Sequence, residues 1–201
     1  MGYTVIVVSG IPRSGTSLMM QLLQAGGIGP FTDEVRKADK DNPRGYFEHK
    51  RAIGLKRDDT PWLSEVGDKA VKIIYNALFH LPSSYGYKVI FMVRNFEEIV
   101  ASHRAMAGLQ TGDEKYDSSL PEFYREQLQV VRDCLSERPE FKLLYVNHHD
   151  VLRYPEVVCS SVNCFLEKKV LTPEIMLNVV EDSLYRNRCC EPWQRAVKKL
   201  Y

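Results

Sequence analysis

The sequence predicts an α/β protein: a three-layer sandwich with a central parallel sheet of four to five strands. Three observations predict it. The runs "TVIVV", "KVIFMV" and "KLLYV" are apolar without polar alternation, as strands covered on both faces are. Segments of helical periodicity separate them, which implies parallel strands joined by crossover helices. A turn bracketed by Gly10 and Gly15 follows the first run, where a strand hands over to a helix. With 201 residues the chain is long enough for one domain with a sizeable core, and residues 1–201 are expected to form a single domain.

The elements follow in order. A strand is predicted over 3–9 and a helix over 16–26. Residues 28–47 are polar and irregular, and a helix is predicted over about 48–57. Strands follow at 70–75 and 88–93. Asn95, with Glu98 three residues on, reads as the cap of a helix over 96–107. Residues 108–118, "GLQTGDEKYDS", read as a mobile loop able to cover a ligand. A helix over 120–137, a strand over 142–147 and helices over 155–168 and 173–182 complete the core, with a basic tail behind them.

Composition narrows the function. Lys and Arg number 27 against 26 Asp and Glu, so bulk charge gives a nucleic-acid role no support. The longest apolar runs are strand length, short of a bilayer span. The N-terminus enters a strand directly, so no signal or transit peptide is expected. Five cysteines without framework spacing favour a reducing compartment, and a cytoplasmic location is expected. Cys189-Cys190 with His148-His149 invite a metal reading, but their spacing matches no zinc template, so no metal site is expected.

Two stretches carry chemistry. In "VIVVSGIPRSGTSLMM" the strand–loop–helix order is that of a phosphate-binding loop. Backbone N–H groups from Arg13 to Ser17 can converge on an anion at the start of the helix, aided by its dipole. Thr16 and Ser17 add hydroxyls, and Arg13 adds a forked cation. The nucleoside-triphosphate pattern requires lysine after the second glycine, and here that residue is Thr16. The neighbouring strand "KVIFMV" ends in Arg94-Asn95 rather than in an acidic residue that would hold magnesium. Both departures count against a kinase or NTPase, although Asp150 near another strand end keeps that option open. In the second stretch, Arg94 stands at a strand's carboxyl end and Ser102 about two turns into the next helix. Together they can grip a second anion, or they form a surface pair and a helix-surface serine.

"PRSGTS" in its strand–helix setting, with Arg94 and Ser102 after it, resembles the sulfotransferase family that uses 3′-phosphoadenosine 5′-phosphosulfate (PAPS). "KLLYVNHHDVLRYPEVVCSSVNCFLE" is similar to a later strand, acidic turn and helix of that family, so the likeness runs through about residues 3–168. The resemblance implies a P-loop-like α/β sandwich. It implies that Arg13, Ser14, Gly15, Thr16 and Ser17 hold the 5′-phosphosulfate, and that Arg94 and Ser102 hold the 3′-phosphate. It implies metal-independent transfer, with Arg13 at the leaving oxygen, and PAPS and an acceptor hydroxyl or amine as partners.

The family's general base is less legible. Its familiar members carry Lys-Thr-His at the end of the second strand, whereas "KAVKIIYNALFHLP" has Lys72 inside the strand and His80 a few residues late. Lys72 either reaches the sulfuryl group or is an ordinary strand lysine. The polar connection offers Asp33, Glu34, Glu48 and His49. Glu48 is the favoured base, with Asp33, Glu34 and His80 behind it, although Glu48 at a helix start also suits the dipole alone. Arg36, Lys37, Lys40 and Arg44 read as mostly solvated charges. Arg186 or Arg188 corresponds to a late basic loop that reaches the 3′-phosphate in the family, or belongs to a solvated tail. Trp62 and Trp193 are expected to pack rather than stack on adenine. Two rival readings remain: a nucleotide kinase or NTPase with a degenerate loop, and a catalytically silent nucleotide-binding module.

Overall fold

A computed structural model describes residues 3–34, 36–39, 42–56, 59–108 and 114–181 of the chain. Four strands, β1 (Thr4–Gly10), β2 (Ala70–Lys72), β3 (Gly86–Val93) and β4 (Phe141–Asn147), form one sheet in the order β2-β1-β3-β4. Every pairing is parallel. Strands covered on both faces are largely apolar, and residues 5–10 of β1 and 89–92 of β3 are buried.

Successive side chains alternate between the two faces. Val5, Val7, Val71, Val89 and Phe91 enter one core with Trp62, Leu63, Leu78 and Ile99. Ile6, Val8, Ala70, Ile90 and Met92 enter the other with Met19, Leu22, Leu23 and Val162. The helices sort accordingly. α1 (Thr16–Ala25), α6 (Pro155–Leu166) and α7 (Pro173–Val179) cover the second face, while α3 (Phe96–Ala107) and α4 (Glu114–Ser136) cover the first. The short α2 (Lys50–Ile53) joins the first face through Ala52, and α5 (His148–Arg153) joins the second through Val151. β1 lies between β2 and β3, so the chain leaves β1 and β3 toward opposite sides of the sheet. A crevice opens there at the carboxyl ends of the strands.

Several boundaries differ from the sequence reading for visible reasons. The helix expected over 48–57 is only Lys50–Ile53, because His49 caps its start and Gly54 ends it. β2 stops at Lys72, although the Ile73 N–H still donates to the Val8 carbonyl at 3.0 Å before the chain turns into a 3-10 segment, Tyr75–His80. A second 3-10 turn, Pro61–Glu65, was not expected and carries the buried Trp62. α4 begins at Glu114, inside the segment read as a loop, so Pro121 falls within the helix. α5 was missed because six residues are too few to show a period.

Candidate active site

The carboxyl ends of β1, β2 and β3 and the start of α5 meet in one cleft of about 530 Å3. The turn after β1 builds its floor. At Gly10 (φ 151°) an added Cβ would lie 2.5 Å from Ser14 Oγ and 2.6 Å from the Met92 carbonyl oxygen, so the turn passes too close to β3 for any side chain. Arg13 (φ 73°) and Gly15 (φ 100°) both take the left-handed backbone region. Such alternation across Ser14 turns successive N–H groups to one side and makes a concave seat for an anion. For an arginine that backbone costs about 1–2 kcal/mol, so the surrounding turn holds it there.

α1 starts immediately behind this seat. No side chain caps it and its first turn contains no acidic residue. α3, α5 and α7, by contrast, are capped by Asn95, Asn147 and Thr172. The first N–H groups of α1 thus form a partial positive charge beside Thr16 and Ser17 on the cleft wall. Ser14 sits differently from the sequence reading. Its side chain is fully buried against Gly10, and its N–H donates to the Ile11 carbonyl at 3.0 Å. The loop's hydroxyls on the cleft are those of Thr16 and Ser17.

Arg94 and Ser102 line the same cleft. Arg94 Nε donates to Glu98 Oε2 at 2.8 Å, and Nη1 donates to the Arg13 carbonyl at 3.2 Å. Arg13 Nε donates to Ser102 Oγ at 2.9 Å, with Nη1 3.9 Å from Met106 Sδ. The two anion stretches read separately from the sequence are therefore stitched into one continuous cleft by the guanidinium of Arg13.

Lys72 enters at the end of β2. It is only 8 % exposed, and its Nζ donates to the Tyr46 carbonyl (3.0 Å), Glu48 Oε1 (3.2 Å) and Ser17 Oγ (3.3 Å). Burial pushes its ammonium pKa down, and the Glu48 carboxylate pushes it back up. Glu48 also accepts from Arg36 Nη1 at 3.0 and 3.3 Å. Asn42 Nδ2 donates to Ser17 Oγ at 2.9 Å, fastening the polar connection to the loop.

The other base candidates lie elsewhere. Asp33 accepts from the Lys50 N–H and so anchors α2. Glu34 is exposed, and its backbone N–H donates to Thr32 Oγ1. His49 is buried in a stack with Phe31 (4.6 Å between centroids) and Trp62 (6.0 Å), and burial lowers its pKa. His80 is exposed and does not line the cleft. Trp62 packs in the core. Arg186, Arg188, Cys189, Cys190 and Trp193 lie outside the described residues.

His148, which the sequence offered as a metal partner, lies on the cleft. An added Cβ at Gly15 would lie 2.5 Å from His148 Cδ2, so the imidazole is seated on the loop glycine. Burial first, then the nearby Arg94 and His149, push its pKa down to about 3. An unfolded histidine takes up its proton near pH 6.5, while the folded one does so only near pH 3, so the unfolded chain binds more protons in between. Stability is intact above pH 6.5 and declines as pH falls toward 3, at up to about 1.4 kcal/mol per pH unit. Between pH 7.5 and pH 5, the wild type is expected to lose about 2 kcal/mol more than His148→Gln in urea denaturation. Equal losses in the two proteins would refute this.

Sheet order, glycine turn and uncapped helix together define an α/β fold of the P-loop-like class. Two solved structures narrow that class. The sulfotransferase domain from the Synechococcus PCC 7002 olefin synthase superposes with a TM-score of 0.55 at 17% identity, over 97% of this chain and 83% of that one. The sulfotransferase domain from the curacin biosynthetic pathway gives 0.56 at 14% identity, over 98% and 97%. The chain therefore has a sulfotransferase-like fold. No protein-family model and no curated protein matches the sequence. Among the described residues no helix is long and apolar enough to cross a membrane, and no group of three or more His, Cys, Asp or Glu is placed to hold a metal.

Proposed function

We propose that the protein is a PAPS-dependent sulfotransferase acting on a hydroxyl or amine of an acceptor molecule. The observation that carries this reading is a single cleft lined by both stretches. The uncapped start of α1 with Thr16 and Ser17 lines it, and so do Arg94 and Ser102. PAPS carries phosphate on both the 5′ and the 3′ side of its ribose. ATP lacks the 3′ group and would leave Arg94 and Ser102 without a ligand phosphate. The sulfotransferase-like fold supports the same reading.

The residues divide the work by position. The N–H groups of Arg13 and of Gly15 to Ser17 and the hydroxyls of Thr16 and Ser17 hold the phosphosulfate end. Arg94 and Ser102 hold the 3′-phosphate. PAPS supplies an activated sulfuryl group whose S–O bond to the bisphosphate breaks as a bond from sulfur to the acceptor oxygen or nitrogen forms. Arg13 meets the charge that grows on the leaving oxygen, and Lys72, already on Ser17 Oγ, meets the sulfuryl oxygens. Glu48, 3.2 Å from Lys72 Nζ, takes the acceptor proton. Cytoplasmic location and independence of metal belong to the same proposal.

Calorimetry with adenosine 3′,5′-bisphosphate in EDTA tests it. Binding is expected without magnesium, and Ser102→Ala is expected to weaken it by about tenfold, the value of one hydrogen bond to a charged group. Magnesium-dependent ATP binding with no affinity for the bisphosphate would overturn the reading in favour of a kinase or NTPase.

A further inference from the structure

The strongest feature that these assignments leave unused is a chain of side chains behind Glu48. Both Asp39 carboxylate oxygens accept from Tyr46 Oη, at 2.9 and 2.8 Å. The Arg36 guanidinium lies over the Tyr46 ring, 3.4 Å from Cζ to the centroid. Arg36 Nη1 reaches both Glu48 oxygens, and Glu48 reaches Lys72, which reaches Ser17. Arg36, Asp39, Tyr46 and Glu48 come from a connection with almost no regular structure, where a side-chain network is the main means of fixing a carboxylate. Both Arg36 and Tyr46 also line the cleft.

We propose that Arg36 and Tyr46 are positioning residues that hold the Glu48 carboxylate, correctly aimed, beside Lys72 and the phosphate loop. Asp39 fixes the tilt of the Tyr46 ring, the ring fixes the guanidinium plane, and the guanidinium fixes the carboxylate. Arg36 is 46 % exposed while Glu48 is 14 % exposed, so the network carries a cation from the solvent edge to an enclosed acid. The inference rests on the sulfotransferase reading for the purpose of Glu48, but the network can be measured without turnover.

The test is 13C NMR of protein labelled at glutamate carboxyls, with the Glu48 signal identified by its loss in Glu48→Gln. Among the described residues, the groups on the Glu48 carboxylate are Arg36 from the connection and Lys72 from β2, with Tyr46 stacked on Arg36 and Arg13 bearing on Lys72 from the loop. Arg36→Met removes one facing cation and is expected to move the Glu48 titration midpoint up by about half a pH unit or more. Arg36→Lys is expected to restore most of the shift. Tyr46→Leu, which removes the platform and leaves the charge, is expected to move it part of the way. Arg36 is half exposed, so the fold survives its loss, and thermal melting of each variant checks this. A midpoint in Arg36→Met equal to that of the wild type overturns the proposal, as does a Tyr46→Leu midpoint that does not move. The same samples are titrated with adenosine 3′,5′-bisphosphate. A wild type that ignores this ligand while the Glu48 shifts appear defeats the sulfotransferase reading and leaves the network standing.

Discussion

Arg94→Ala is expected to cost the protein both stability and ligand. The Arg94 and Glu98 side chains are only 10 % and 7 % exposed, and their bond is 2.8 Å long. Removing one member of such a pair leaves the other charge enclosed, which costs about 3–5 kcal/mol. For a chain of this size that lowers the melting temperature by on the order of 10 °C. Arg94 also donates to the Arg13 carbonyl, so the glycine turn loses a brace. Affinity for adenosine 3′,5′-bisphosphate should fall by about a hundredfold or more, as for a charge-assisted contact to phosphate. The double variant Arg94→Ala/Glu98→Gln separates the two effects. Neutralising Glu98 should recover much of the stability and none of the affinity. Wild-type affinity in the double variant would remove Arg94 from the binding site.

Gly10→Ala should be nearly as damaging for a different reason. The methyl group would press on the Met92 carbonyl of β3 at 2.6 Å and on Ser14 Oγ at 2.5 Å, at a φ of 151° that alanine resists. Backbone of a central strand does not yield, so strain and overpacking add to about 3 kcal/mol. The turn, forced away from β3, would also misdirect the N–H groups of Arg13 and of Gly15 to Ser17. Urea denaturation with and without bisphosphate measures both effects. A loss under about 0.5 kcal/mol, the range of a neutral surface change, would show that the turn adapts.

The sheet was legible because its strands are covered on both sides, and that condition forces uninterrupted apolar runs such as Val5–Val8 and Val89–Met92. α3 was legible from its cap, and Asn95 does accept from the N–H groups of Glu97 and Glu98. Glu48 and Lys72 were named from their surroundings, and the structure sets them 3.2 Å apart across a gap of 24 residues in sequence. Arg36 and Tyr46 were not singled out. A cation in a charged stretch reads as solvated, and only folding brings Arg36 over an aromatic ring. The inward turn of Ser14 depends on the left-handed backbone of Arg13, a conformation that residue type alone does not signal. His148 stood at a strand end in the sequence, but its seat on Gly15 appears only in the fold.

The two rims of the cleft are attached to the molecule by unequal means. β1, which carries the glycine turn, has hydrogen-bonded neighbours on both flanks, so its amides exchange with solvent only when the whole sheet opens. The connection that carries Glu48 is held largely by side chains and can detach by local fluctuation. On gentle warming the protein should therefore release its carboxylate rim first, while the seat for phosphate persists until the cooperative melt.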